Sequence, residues 1–344
     1  MNHEFYMNRC IELAKKAEGN TYPNPMVGCV IVHENRSVGE GYHHKAGEPH
    51  AEIMAINSVR NAGILPECDI YVSLEPCAHY GKTPPCALKL KETGFKKVII
   101  GTVDSHEKVK GKGIQILEDA KIPVIKGVAE NECIELNRRF FTFHQKKRPY
   151  LLLKWAQSGD GFMDKNFKPF QIGNPLTKQF VHHLRSTEQA IMVGTATALN
   201  DNPTLTTREI SGRNPVRIVI DLDLKIPRTH HIFNDDAKTV VINANKNKAE
   251  NNVEFRTVSR ENFLEDLMSQ LFEMQIQSVL VEGGSATLSH FLENNLWDEA
   301  IIIKNPELIL KSGTKAPHLQ AETVKISDFG GNLVEFYRNG HSIL

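Results

Sequence analysis

No apolar run in this chain reaches the roughly 20 residues that a membrane-spanning helix needs. The N-terminal stretch MNHEFYMNRCIELAKKAEGN carries Glu4 early and has no apolar core, so the sequence predicts no secretory leader and a cytoplasmic protein. A charge excess of either sign is also missing, because 41 Lys and Arg balance 41 Asp and Glu. Attraction to a polyanion is therefore not built in, which counts against a nucleic-acid partner. Internal repeats and low-complexity tracts are absent as well. Cysteine is sparse, six in 344 residues, and inside a cell such cysteines serve as thiols or metal ligands rather than bridges. What is present is ordinary for a soluble globular chain, 40% hydrophobic and 24% charged, and long enough for two domains with a core each.

Periodicity predicts alternating helices and strands. Tyr6, Cys10, Leu13, Ala14 and Ala17 recur at helical spacing, and MVGCVIV (26–32) is an apolar, β-branched run of strand length. Residues 51–63 read as a helix ending at Gly63, 70–74 and 96–104 as strands, and 113–120 as a helix. The alternation pauses over 137–150, whose basic, proline-containing end predicts a boundary between domains 1–147 and 148–344. A second set follows, with strands at 150–156, 190–194, 216–221, 239–243, 278–284 and 299–304 and helices near 176–187 and 261–274. The polar run 243–252 reads as a solvated loop. Both halves are expected to be layered α/β domains.

The stretch Glu75-Pro-Cys-Ala-His-Tyr-Gly-Lys-Thr-Pro-Pro-Cys86 sets two cysteines nine positions apart, wider than the usual zinc hairpin. Upstream lies His50-Ala51-Glu52 at the start of the predicted helix. One histidine and two cysteines are the zinc ligands of nucleobase deaminases, in which a glutamate two residues after the histidine carries the proton instead of binding metal. Three protein ligands leave one position for water, whose pKa the metal lowers. His50, Cys77 and Cys86 are thus candidate ligands and Glu52 the candidate proton shuttle. Cys77 or Cys86 alone would be read as a buried thiol, and His79 as a fourth ligand would turn the site into a structural one.

The order H-A-E, then P-C-A-H-Y-G-K-T-P-P-C, resembles the deaminase half of the bifunctional riboflavin-biosynthesis deaminase/reductase family. YPNPMVGCVIV and GEGYHHKAGEPHAE extend the resemblance upstream. It implies a cytidine-deaminase-like αβα domain with one zinc, acting on a small phosphorylated pyrimidine. It also implies that Lys82 meets the ribose phosphate, that Asn24 and His43 hold the pyrimidine, and that Asp104 lies by the sugar or phosphate. The family's D-P-N-P is here Asp104-Ser105-His106.

The second half has no G-x-G-x-x-G, so a Rossmann fold is unsupported. Gly283-Gly284-Ser285 follows an apolar strand and opens a helix, where bare N–H groups suit a pyrophosphate and equally make a simple left-handed turn. RPYLLLKWAQSGDG (148–161), residues 182–208, RIVIDLDLKIP (217–227) and VEGGSATL (281–288) resemble the reductase half of the same family. That resemblance implies a dihydrofolate-reductase-like domain using NADPH, of a kind that often pairs into homo-oligomers. Cofactor contacts would fall on Lys154, Ala156, Gln171, Thr197, Asp201, Gly283, Gly284 and Ser285. Substrate contacts would fall on Arg185, Leu205, Arg208 and Glu282, with the two arginines suited to clamp a phosphate. The family's W-I-T is Gln171-Ile172-Gly173 here, and its S-L-D-G is Ser158-Gly159-Asp160-Gly161. Two rivals remain at this level: a nucleic-acid deaminase with an accessory domain, and a zinc-stabilised binding protein whose second half senses nucleotide.

Overall fold

The structure, a computed structural model, describes residues 2–80, 84–104 and 110–340, so Lys82 and His106 lie outside the described residues. The chain forms two compact units that meet in sequence at Lys146 and Lys147.

The first unit opens with α1 (His3–Lys15), whose N-terminus is capped by the Asn2 side chain accepting from the Phe5 N–H. Then come β1 (Gly28–His33), β2 (Arg36–Tyr42), α2 (Ala51–Ser58), β3 (Asp69–Leu74), α3 (Cys86–Thr93), β4 (Lys97–Thr102), α4 (Lys112–Asp119), β5 (Val124–Lys126), α5 (Glu130–Leu136) and α6 (Arg138–Lys146). The sheet order is β2-β1-β3-β4-β5, with β1 antiparallel to both neighbours and β3, β4 and β5 parallel. Both faces of its centre are buried. Cys29, Ile31, Ile70 and Val72 pack with Ala51, Ala55, Leu90 and Leu117 of α2, α3 and α4. Val30, Val32, Tyr71 and Ile99 pack with Met7, Cys10, Leu13 and Leu136 of α1 and α5. This is why MVGCVIV is apolar without a break. Gly41 lets α2 sit against β2, since a Cβ there would lie 2.4 Å from the Ala55 nitrogen.

The second unit comprises β6 (Tyr150–Ser158), α7 (Pro175–Thr187), β7 (Ala190–Gly194), α8 (Thr195–Asp201), β8 (Val216–Ile220), β9 (Thr239–Asn243), β10 (Lys248–Glu250), β11 (Val253–Thr257), α9 (Phe263–Glu273), β12 (Ser278–Val281), α10 (Ser285–Glu293), β13 (Glu299–Asn305), β14 (Thr323–Phe329) and β15 (Asn332–Arg338). Its ten-stranded sheet runs β10-β11-β9-β8-β7-β12-β6-β13-β15-β14 and is parallel from β11 to β13. Antiparallel pairs finish both edges. Two apolar cores cover the two faces.

Three expectations change. The helix from residue 51 stops at Ser58, because Val59 is extended and the Asn61 side chain accepts from the Gly63 N–H to start a separate 3-10 turn, Ala62–Glu67. The polar run 243–252 is not all loop: β10 pairs antiparallel with β11 across Asn251-Asn252, and Asn251 takes the positive φ such a tight turn needs. Residues 195–201, for which no element was expected, form the helix α8, ended by Asn202 in the left-handed conformation. Among the described residues no helix is long and apolar enough to cross a membrane.

Candidate active sites

His50 is the residue before α2, and its extended backbone lets the carbonyl start the helix, accepting from Met54 N–H, while the ring turns elsewhere. Cys86 is the first residue of α3, and Cys77 follows the end of β3. The chain thus brings the three candidate ligands together. His50 Nδ1 lies 3.5 Å from Cys77 Sγ and 3.4 Å from Cys86 Sγ, and the three ligand atoms fall within 4.8 Å of one another. The Cys86 N–H donates to Cys77 Sγ at 3.2 Å, so the start of α3 supports a thiolate. Hydrogen bonds from Cys86 and then His50 outweigh burial and hold the Cys77 thiol well below its usual range, while the same bond drives Cys86 up.

Glu52 stands in the first turn of α2, buried, and burial pushes its carboxyl above the ordinary range. Neither Glu52 nor the exposed His79 joins the ligand trio. His43 is buried with its ring 5.2 Å from that of His50. Its Nδ1 lies 3.2 Å from the Pro49 carbonyl, which can only accept, so Nε2 is left to accept from the Asn24 amide at 3.0 Å. Burial lowers the His43 pKa and keeps it neutral. Asp104 is buried, and its N–H donates to the Glu75 carboxylate at 3.2 Å. Glu75 was not singled out in the sequence, although it directly precedes Pro76-Cys77.

The second unit holds a cavity of about 850 Å³ at the C-terminal ends of β6, β7, β8 and β12. That size suits a cofactor pocket. Its lining takes in Lys154, Ala156, Gln171, Thr197 and Asp201. It also takes in Arg185, Arg208, Glu282, Gly284 and Ser285. Leu205 is instead a buried core residue and Gly283 is buried beneath the turn, so neither lines the cavity. The Gly284 N–H donates to Thr197 Oγ1 at 2.8 Å, tying the glycine turn to α8.

The Glu282 side chain, 7% exposed, takes the Arg185 fork at 3.0 and 2.7 Å and the Lys154 ammonium at 3.4 Å. The pair of free arginines expected for a phosphate clamp is therefore not what stands there. Arg185 is committed to Glu282, because burial of a carboxylate demands a partner, and Arg208 holds the Thr204 and Thr206 hydroxyls. The Arg208 N–H donates to Nδ1 of His182, whose pKa falls to about 4 through burial and the two arginine charges. Gln171 is exposed and donates to its neighbour Gly173 O at 2.9 Å. Beside it, Phe167 and Phe170 are exposed aromatic rings on the cavity lining, and the sequence reading passed over both.

Comparison with known proteins decides the family. Residues 149–324 match the model of the RibD C-terminal domain, and residues 1–102 match the cytidine and deoxycytidylate deaminase zinc-binding region. The riboflavin biosynthesis protein RibD of Aquifex aeolicus is 36% identical over 97% of both chains. That of Bacillus amyloliquefaciens is 38% identical over 92% of this chain and 87% of its own. This chain belongs to the RibD family. A solved Thermotoga maritima member, described as a diaminohydroxyphosphoribosylaminopyrimidine deaminase and 5-amino-6-(5-phosphoribosylamino)uracil reductase, superposes with TM-score 0.88 at 35% identity over 98% of each chain. Acinetobacter baumannii RibD gives 0.89 at 30% identity, also over 98% of each.

As a RibD member the chain is an enzyme of riboflavin biosynthesis that joins a zinc-binding deaminase to a reductase. The donor set agrees with this: one imidazole and two thiols at ligand spacing suit zinc, with no fourth protein ligand among the described residues.

Proposed function

We propose that the first unit hydrolytically deaminates 2,5-diamino-6-(5-phosphoribosylamino)pyrimidin-4-one and that the second reduces the ribosyl group of the product to ribityl. The observation that carries the first step is a buried carboxylate, Glu52, set two residues from His50 yet outside the ligand trio. His50, Cys77 and Cys86 would hold zinc, a Lewis acid that makes water nucleophilic at neutral pH. Deamination forms a carbon–oxygen bond and breaks a carbon–nitrogen bond. Glu52 takes the proton that the attacking water must lose and passes it to the amine, which leaves as ammonia. Asn24, oriented by neutral His43, and Asp104 hold the pyrimidine and its sugar, and Lys82 meets the phosphate.

In the second unit NADPH supplies hydride. The first N–H groups of α10, from Ser285 onward behind the Gly283-Gly284 turn, would receive the pyrophosphate, and Thr197, which holds the Gly284 N–H, and Asp201 would serve the nicotinamide and sugar. Lys154, Ala156 and Gln171 flank the cofactor from β6 and the segment after it. Arg208, Arg185 and Glu282 serve the substrate, with Arg208 first to meet its phosphate. Glu282 neutralises one of two cations and leaves the group positive for an anionic substrate.

Balanced charge supports a small-molecule substrate over nucleic acid and is consistent with a cytoplasmic enzyme. A homo-oligomer is supported by Val324 and Ile326, exposed apolar residues on β14 at the edge of the sheet. The test of function supplies the diaminopyrimidine with and without NADPH and reads ammonia and NADPH oxidation separately. Ammonia without cofactor, and oxidation only after deamination, are the expected results; either activity missing from a zinc-loaded protein overturns its half of the proposal.

A further inference from the structure

One carboxylate in the first unit has an unusual set of partners. Glu75, the residue after β3, is buried, and its backbone N–H is tied to Thr102 O at the end of β4. Among the described residues its side chain accepts four backbone N–H bonds. Oε2 takes Asp104 N at 3.2 Å and Gly111 N at 2.9 Å. Oε1 takes Gly113 N at 2.9 Å and Ile114 N at 3.3 Å, in the first turn of α4. One oxygen therefore ties Asp104 to Gly111, and the other fixes the start of α4.

The approach is close enough to require glycine. A Cβ at Gly113 would lie 2.0 Å from Pro76 O and 3.3 Å from Glu75 Oε1. The peptide held against α4 is Glu75-Pro76-Cys77, whose last residue is a metal ligand and whose Cys77 carbonyl and sulfur accept from Ala87 and Cys86 N–H at the start of α3. An ordinary ion-paired glutamate would need none of this. A carboxylate spread over four peptide N–H groups is a rigid brace, because each donor belongs to backbone that cannot rotate away.

We propose that Glu75 is a positioning residue for deamination, which fixes the substrate-side residue Asp104 relative to the metal-side residue Cys77. The proposal rests on the deaminase reading of this site and on Asp104 touching substrate. Glu75 itself reaches neither metal ligand nor reacting atom; it acts through what it holds.

The experiment is a double-mutant cycle of Glu75→Gln and Asp104→Asn, read on the whole protein. Zinc content and reductase turnover on pre-deaminated substrate serve as controls for intact molecules. Glutamine keeps the shape of glutamate but turns an NH₂ group towards two N–H donors. Glu75→Gln should raise KM for deamination about tenfold or more, lower kcat by less than about threefold, and leave one zinc per chain. The double variant should be no worse than Asp104→Asn alone, because Glu75 acts through the contact of the Asp104 side chain with substrate, which Asp104→Asn has already removed. If the two effects multiply, Glu75 does not act through Asp104 and the proposal falls while the deaminase reading stands. If Asp104→Asn alone leaves KM unchanged, the role of Asp104 falls and takes the proposal with it.

Gly111→Ala gives a milder arm should Glu75→Gln not fold. Gly111 has φ of 77°, and among the described residues nothing lies near its missing Cβ, so alanine strains one end of the brace without a clash there. A smaller rise in KM at unchanged kcat supports the proposal, and an unchanged KM overturns it.

Discussion

At the scale of single residues, the two buried glutamates of the active sites predict different losses. Glu52→Gln should keep zinc, since Glu52 is outside the trio, and should lower deamination by about 10²–10⁴-fold, the usual worth of a positioned proton carrier. Metal analysis beside an ammonia assay checks both halves; zinc loss with the activity would make Glu52 a ligand instead. Glu282 behaves as a partnered ion. Burial raises its pKa, but Arg185 and then Lys154 outweigh burial and bring it down to about 2. A carboxyl with a depressed folded pKa contributes stability above its unfolded value, near 4.3, and loses it as pH falls towards 2. Thermal unfolding of the second unit should therefore show an acid loss over that window that Glu282→Gln lacks. The variant should also be less stable at neutral pH by about 3–5 kcal/mol, because it strands two cations. The zinc trio was legible in the sequence because metal ligation restricts residue type and order. The Arg185–Glu282 pairing was not, because nothing in a linear sequence says that residues 97 positions apart share a carboxylate.

At the scale of elements, legibility followed burial. Strands covered on both faces, such as β1, β3 and β7, had to be mostly apolar and stood out. The half-exposed β2 and the edge pair β14 and β15 mix polar and apolar residues, and the sequence reading passed over them. The α5–α6 pair was missed because α6 carries RRFFTFHQK, whose basic residues look like a linker although Phe140, Phe141 and Phe143 are buried. The segment from Phe162 to Gly173 shows a different limit. Gln171 offers the cofactor no aromatic face, but Phe170 beside it is an exposed ring on the cavity lining, with the Lys165 ammonium 5.6 Å from its centroid. An aromatic contact is worth about 0.5–1.5 kcal/mol beyond its area, or up to about tenfold in affinity. Phe170→Ala should raise the NADPH KM by up to about that factor with kcat nearly unchanged, and Gln171→Trp should lower it. NADPH titration against pre-deaminated substrate is the measurement; a Phe170→Ala enzyme with wild-type KM would remove the ring from the cofactor site.

At the scale of the whole molecule, two units with separate cores carry chemistries that share no reacting group. The three candidate zinc ligands all lie in the first unit, just before α2, at the start of α3 and shortly after β3. The second unit contains no comparable cluster of His, Cys, Asp and Glu among its described residues. The hydride transfer proposed there would rest on the cavity, the Lys154–Glu282–Arg185 group and the glycine turn, none of which is built on a metal. The first sheet does not need metal to form either, because its two faces are filled by apolar side chains. Removing zinc with a chelator should therefore stop ammonia release and leave NADPH oxidation on supplied deaminated substrate within about twofold. Zinc added back should restore deamination without refolding, since His50 and the two cysteines already stand at ligand spacing. Parallel loss of both activities at intact secondary structure would show that the reductase depends on the metal after all, and the independence of the two units in catalysis would have to be given up.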